Sequence, residues 1–164
     1  MKKFCLQTLM VVFLIFCANV LQAQNSQTKL NQVELMKQFL GTWQGETSKD
    51  TIFSYDAKPM GSGLDINYKI VTKGKILQEG RILMGYYRSI DKYVLAKISK
   101  QTSMVLNVYW FTTDKIWNSM KYDDLSNPDK ASWKNTGEFK TPDLYLETHT
   151  INNKPNIIAW TRVK

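Results

Sequence analysis

The chain has 164 residues, 43% hydrophobic and 22% charged, with 22 Lys and Arg against 14 Asp and Glu for a formal net charge of +8. That length suits one domain, and the composition excludes a disordered or collagen-like chain. The basic excess does not read as a nucleic-acid surface. The lysines are spread thinly, many near turn signals (Lys73, Lys75, Lys92, Lys115, Lys130, Lys154), with no basic cluster. Lysines so placed keep a surface solvated and discourage strand edges from pairing with other chains. A weak attraction to an anionic membrane surface stays open.

The N-terminus reads as a targeting segment. Lys2 and Lys3 precede the apolar run Phe4–Phe16, and Cys17-Ala18-Asn19-Val20-Leu21-Gln22-Ala23 follows, ending on a small residue. This is the order of a secretory signal peptide over residues 1–23, with cleavage expected after Ala23. A lipoprotein reading would use Cys17 instead, behind the bulky Phe16. The apolar run is short for a bilayer span, so no transmembrane segment is expected. Removing the first 23 residues leaves 141, Gln24–Lys164, and lowers the formal charge from +8 to +6. Cys5 and Cys17, the only two cysteines, leave with the segment. The remaining chain has no thiol, disulfide or Cys–metal site, so its stability rests on a core. Export points to a bacterial periplasm or the medium.

Residues 24–29 are polar and read as a flexible leader, with the folded domain over residues 30–164. Leu30–Leu40 has helical spacing, with Val33, Met36, Phe39 and Leu40 near one stripe and Gly41 as the stop. Strands follow at Thr42–Thr47 and Thr51–Tyr55, then at Leu64–Ile70, which alternates apolar and polar strictly. Ile76–Tyr87 is a long strand in which Gly80 and Gly85 suggest bulges or bends. Tyr93–Ser99, Met104–Phe111, Ile116–Tyr122, Ala131–Phe139, Leu144–Ile151 and Ile157–Val163 complete the series. Asn127-Pro128-Asp129 reads as a loop and Asn152-Asn153 as a hairpin turn. The expectation is an all-β, antiparallel up-and-down barrel of about ten strands with a short N-terminal capping helix.

The helix running into Phe39-Leu40-Gly41-Thr42-Trp43-Gln44-Gly45-Glu46 resembles the opening of the calycins: lipocalins, fatty-acid-binding proteins and their bacterial relatives. The resemblance implies a barrel end closed by the helix, with Gly41 and Trp43 at the first strand and Arg162 packed over the indole from the last. It also implies a small apolar or amphipathic ligand held in the barrel. Leu40–Glu46 is similar as well to nitrobindin-like barrels, which hold haem through one His. Here His149 is the single histidine, and Thr150-Ile151-Asn152 follows it in place of a basic, aromatic-rich run.

The candidate ligand-binding residues are Tyr68, Tyr86, Arg88, Trp110, Trp117 and Trp133, aromatic or forked side chains on separate elements. Ordinary core packing is the competing reading for the aromatics, and surface pairing for Arg81 and Arg88. With Asn152-Asn153 as the turn, His149 shares a face with Tyr145, Glu147, Ile158, Trp160 and Arg162. The opposite face, with Leu144, Leu146, Ile157, Ala159 and Val163, is more apolar. Alternation leaves open which points inward, and whether His149 is an axial ligand or a rim residue. No catalytic residue is expected: there is no Gly-x-Ser-x-Gly, phosphate loop or His cluster, and Asp123, Asp124 and Asp129 read as solvated loop charges. No metal site and no cofactor are expected, with haem on His149 as the alternative. The functional expectation is binding of a small molecule without chemistry, with a filled barrel acting as an interaction module as a further alternative.

Overall fold

A computed structural model describes residues 29–151 and 154–164. The expected signal peptide, all but Lys29 of the leader, and the Asn152-Asn153 turn lie outside the described residues.

The strands are β1 (Gly41–Ser48), β2 (Thr51–Met60), β3 (Gly63–Thr72), β4 (Lys75–Tyr87), β5 (Lys92–Ser99), β6 (Val105–Phe111), β7 (Ile116–Lys121), β8 (Trp133–Thr141), β9 (Leu144–Ile151) and β10 (Lys154–Arg162). Each pairs antiparallel with its neighbours in sequence, and β10 pairs with β1, closing a ten-strand barrel. Closure leaves no free sheet edge. β2 runs on to Met60, beyond the expected stop at Tyr55, because Ala57 continues the inward alternation. Pro59 is tolerated because β1 pairing ends at Gly41 opposite Ala57, so β2 there has one neighbour. β10 likewise begins at Lys154, three residues before the expected start. The irregularity expected at Gly80 or Gly85 falls instead at Leu77: Ile70 pairs with Gln78 and Val71 with Ile76, so Leu77 is the extra residue.

The helix is shorter than its periodicity suggests. α1 covers Gln32–Met36, and one 3-10 turn follows at Lys37–Phe39. Asn31 caps it, its side chain accepting from the Glu34 N–H at 3.2 Å. Leu40 is already extended, and Gly41 has φ +96°, a conformation that favours glycine. The buried residues are Gln32, Met36 and Phe39. Gln32, a polar residue on the same face as Met36 and Phe39, fastens the helix to the barrel. Its amide donates to the Phe111 carbonyl at 2.9 Å and accepts from the Phe111 N–H at 2.8 Å. Phe39 plugs the end, its ring centroid 5.1 Å from Phe139, 5.5 Å from Trp117 and 5.7 Å from Tyr145.

The face that points inward on β9 and β10 is the more polar one. Tyr145, Glu147, Ile158 and Trp160 are buried, whereas Ile157 and Val163 are exposed. Rings decide this. They bury more area than aliphatic chains, and the lumen supplies bare backbone for them to cover. A Cβ on Gly137 would fall 2.1 Å from the Trp117 indole, and one on Gly45 would fall 2.9 Å from Ile158 and 3.0 Å from Trp160. On the outside, the Tyr122–Ser126 turn packs back on β6 and β7 and covers Val108 and Met120.

Candidate functional site

The closed end is built on Trp43, which is fully buried and donates through its indole nitrogen to the Phe39 carbonyl at 3.1 Å. Trp43 and Arg162 are register partners on β1 and β10. The Arg162 guanidinium carbon lies 4.3 Å from the Trp43 ring centroid, a cation–π stack. The same guanidinium donates to the Leu40 carbonyl, to the Gln38 carbonyl at 3.2 Å, to Pro142 at 3.0 Å and to Asp143 Oδ1 at 3.0 Å. It therefore satisfies the carbonyls left by the last helical turn. Gly41 is held to glycine twice over: by its φ, and because a Cβ would sit 2.9 Å from the Arg162 guanidinium.

Above this plug the lumen holds a cavity of about 230 Å³. Its wall is divided. Leu64, Ile66, Ile82, Met84 and Leu95, from β3, β4 and β5, make an aliphatic sector. Asn107, Asn135, Glu147 and His149, from β6, β8 and β9, make a polar one. Cross-strand register aligns the polar sector: Tyr109 pairs with Ser119, Ser119 with Asn135, and Asn135 with His149.

Glu147 is the centre of that sector and is only 6% exposed. It accepts from Asn135 Nδ2 at 2.8 Å and from Trp160 Nε1 at 2.9 Å, and His149 Nε2 lies 3.3 Å from its Oε1. A buried carboxyl needs such partners. Several neighbours are not so provided. Asn107 Oδ1, Trp117 Nε1 and Asn135 Oδ1 are buried, belong to side chains lining the cavity, and have no hydrogen-bond partner among the described residues. Buried polar atoms are nearly always paired, so these atoms hold hydrogen-bonding capacity that the protein itself does not use.

Lys97 reaches into the lumen near the mouth, its ammonium 4.4 Å from the Tyr68 centroid and 5.6 Å from that of Phe53. Burial holds its pKa below the ordinary lysine value. Burial pushes the Tyr55, Tyr109 and Tyr145 hydroxyls upward, so these phenols stay neutral near neutrality. Tyr55 and Tyr145 share a hydrogen bond of 3.2 Å.

Of the six expected binding residues, Trp117 and Trp133 line the cavity. Tyr68 is buried beside it at the mouth, stacked on Phe53 at 5.6 Å and accepting from Gln78 Nε2 at 3.1 Å. Tyr86 is at the far end, hydrogen-bonded to Asp91 and tilted on Tyr93 at 5.5 Å. Arg88 is exposed in a 3-10 turn, Arg88–Ile90. Trp110 lies on the outer face under the Lys92 ammonium, 4.3 Å away. Arg88 and Trp110 are thus outside the lumen, and the barrel does not gather the six into one site. Arg81 forks onto Asp65 at 2.6 and 2.7 Å on the surface. Lys97, Asn107 and Asn135 were not among the expected residues. Glu147 carried a legible signal, a carboxyl on the same strand face as Tyr145.

No family model matches the chain, and no curated protein matches it.

Proposed function

We propose that this protein is an exported, lipocalin-like barrel that holds one small amphipathic molecule in its lumen and does not transform it. The observation that carries this reading is the divided cavity: an aliphatic sector faces a polar one in which the buried Asn107 Oδ1 and Asn135 Oδ1 meet no protein donor. Apolar burial supplies the affinity, and hydrogen bonds from Asn107, Asn135 and His149 set the orientation. The volume of about 230 Å³ lies below the roughly 300–1,000 Å³ of common small-molecule sites, which favours a compact ligand, one or two rings or a short chain. The end closure by Trp43 and Arg162 supports the lipocalin-like assignment, and the N-terminal sequence supports export.

Haem fits these residues less well. His149 Nε2 is free of hydrogen bonds, yet Glu147 Oε1 stands 3.3 Å from it, and the cavity is small for a macrocycle. A filled barrel is disfavoured by the unpaired polar row, which a solid core would not retain.

The test is native mass spectrometry of the protein from its producing cell, followed by uptake of a fluorescent amphiphile by stripped, refolded protein. A bound small molecule, and uptake weakened by Asn135→Leu with the fold intact, is the expected result. Stripped protein that takes up nothing, or a Soret band with added haemin that His149→Ala abolishes, sinks this reading.

A further inference from the structure

Most of the barrel's ion pairs lie toward the helix end, and one, Lys100 with Glu79 at 3.5 Å, lies at the mouth. At the helix end, cations and acids pair: Lys29 with Asp91 at 3.4 Å, Lys37 with Glu34 at 2.7 Å, Lys58 with Asp56 at 3.4 Å and Arg162 with Asp143 at 3.0 Å. At the mouth, the β1–β2 and β3–β4 hairpins present Lys49, Lys73 and Lys75, all exposed. None of the three is in a salt bridge among the described residues, although Asp50 shares their surface. The two hairpins are tied together by the Lys73 N–H, which donates to the Asp50 carbonyl at 2.9 Å.

Apolar side chains stand among these lysines. Ile52, Val71 and Ile76 are register partners across β2, β3 and β4. Ile76 is 59% exposed, and Leu77, the bulged residue beside it, 63%. Ile98 and Met104, at the mouth ends of β5 and β6, extend the exposed apolar set. One exposed leucine needs no explanation, but a concentration at one end, interleaved with unpaired lysines, does. These side chains are spread around a rim. A rigid partner would have to match several separate points, whereas a fluid surface moulds to each. The charge required of that surface is negative.

We propose that the mouth of the barrel docks on an anionic lipid surface, with Lys49, Lys73 and Lys75 against the headgroups and Ile76 and Leu77 in the apolar boundary. Lipid attraction of juxtamembrane lysines and interfacial burial of apolar side chains then act together. The surface lies outside the lumen, so this proposal does not rest on the ligand reading, and the two fail separately.

The test is flotation of the full chain with phosphatidylcholine vesicles, with and without about one-third phosphatidylglycerol. The N-terminal segment, with Lys2 and Lys3, is common to every variant, so the quantity read is the change between variants in the preference for anionic over neutral vesicles. Lys73→Glu with Lys75→Glu is expected to lower that preference at least about twentyfold, given about fivefold per lysine. Ile76→Ser with Leu77→Ser, which leaves the charge unchanged, is expected to weaken binding to anionic vesicles several-fold. Lys115→Glu with Lys140→Glu, at the opposite end, changes the net charge as much as the mouth pair and is expected to have much the smaller effect. Unchanged circular dichroism and unfolding midpoints confirm that each variant folds. Equal partition into both vesicle types overturns the proposal. So do equal losses from the two charge-reversed pairs, or capture of an acidic protein at the mouth without vesicle binding.

Discussion

Arg162 lies across the face of Trp43 with its guanidinium carbon 4.3 Å from the ring centroid, and the same group gathers the carbonyls of Gln38, Leu40 and Pro142. One side chain thus joins the last strand, the first strand and the end of the helix. Trp43→Ala should cost roughly 3–5 kcal/mol, because it empties a fully buried site under that stack. Arg162→Ala should cost less, and a double-mutant cycle should return a coupling above about 0.5 kcal/mol. Denaturant unfolding of the four proteins measures both. Strictly additive losses would show that the stack carries no stability.

Trp117 occupies the space that a side chain at Gly137 would need, with its ring 2.1 Å from the position of a Cβ. Gly137→Ala is therefore expected to displace the indole and cost about 1–3 kcal/mol by overpacking. Gly85, also within a strand, has nothing within 4 Å of its Cβ position, so Gly85→Ala should stay within about 0.5 kcal/mol. Unfolding midpoints, with near-ultraviolet circular dichroism reporting the tryptophan environment, separate the two. A Gly137→Ala protein as stable as the parent would contradict the packing.

Gln32 holds the helix to β6 through two hydrogen bonds with the Phe111 backbone, at 2.9 and 2.8 Å. Gln32→Leu keeps the volume and removes both partners. Leaving the buried Phe111 N–H and carbonyl unpaired should cost about 1–3 kcal/mol. Hydrogen exchange of the Phe111 amide should accelerate more than that of amides at the mouth. Uniform acceleration across the barrel would instead mean that the helix is not fastened locally.

The buried tyrosines make the barrel sensitive to alkali. Burial pushes the Tyr93 hydroxyl up to about 12 and raises Tyr55, Tyr109 and Tyr145 as well. In the unfolded chain these phenols ionise near their ordinary value of about 10. The folded state therefore holds more protons above that pH, and stability falls as pH rises from about 10 towards 12. Below about 10 these groups are neutral in both states and contribute no pH dependence. Urea midpoints taken between about pH 9 and 11.5 should decline, with the phenolate absorbance of the lumen tyrosines rising only as the barrel unfolds. Flat midpoints across that range would contradict the burial.

The sequence alone specifies the ten strands and their serial order. Alternation, turn residues and the short spacing between strands are local properties, and a meander needs no other information. It also determined the helix and both partners of the end closure, since Gly41-Thr42-Trp43 and Arg162 stand at the two termini of the barrel. Which face of each strand is inside was settled by barrel closure. A period of two yields two faces and assigns neither. The assignment comes from closure, which brings bare backbone such as Gly137 or Gly45 opposite a ring. Trp110 and Trp117 illustrate this. They sit on adjacent paired strands and look alike in sequence, yet Trp117 enters the lumen over Gly137, while Trp110 stays outside under Lys92. The polar row was hidden for the same reason. Ser119, Asn135 and His149 are far apart in sequence, each an unremarkable strand residue alone, and only the register of β7, β8 and β9 sets them side by side against an aliphatic wall.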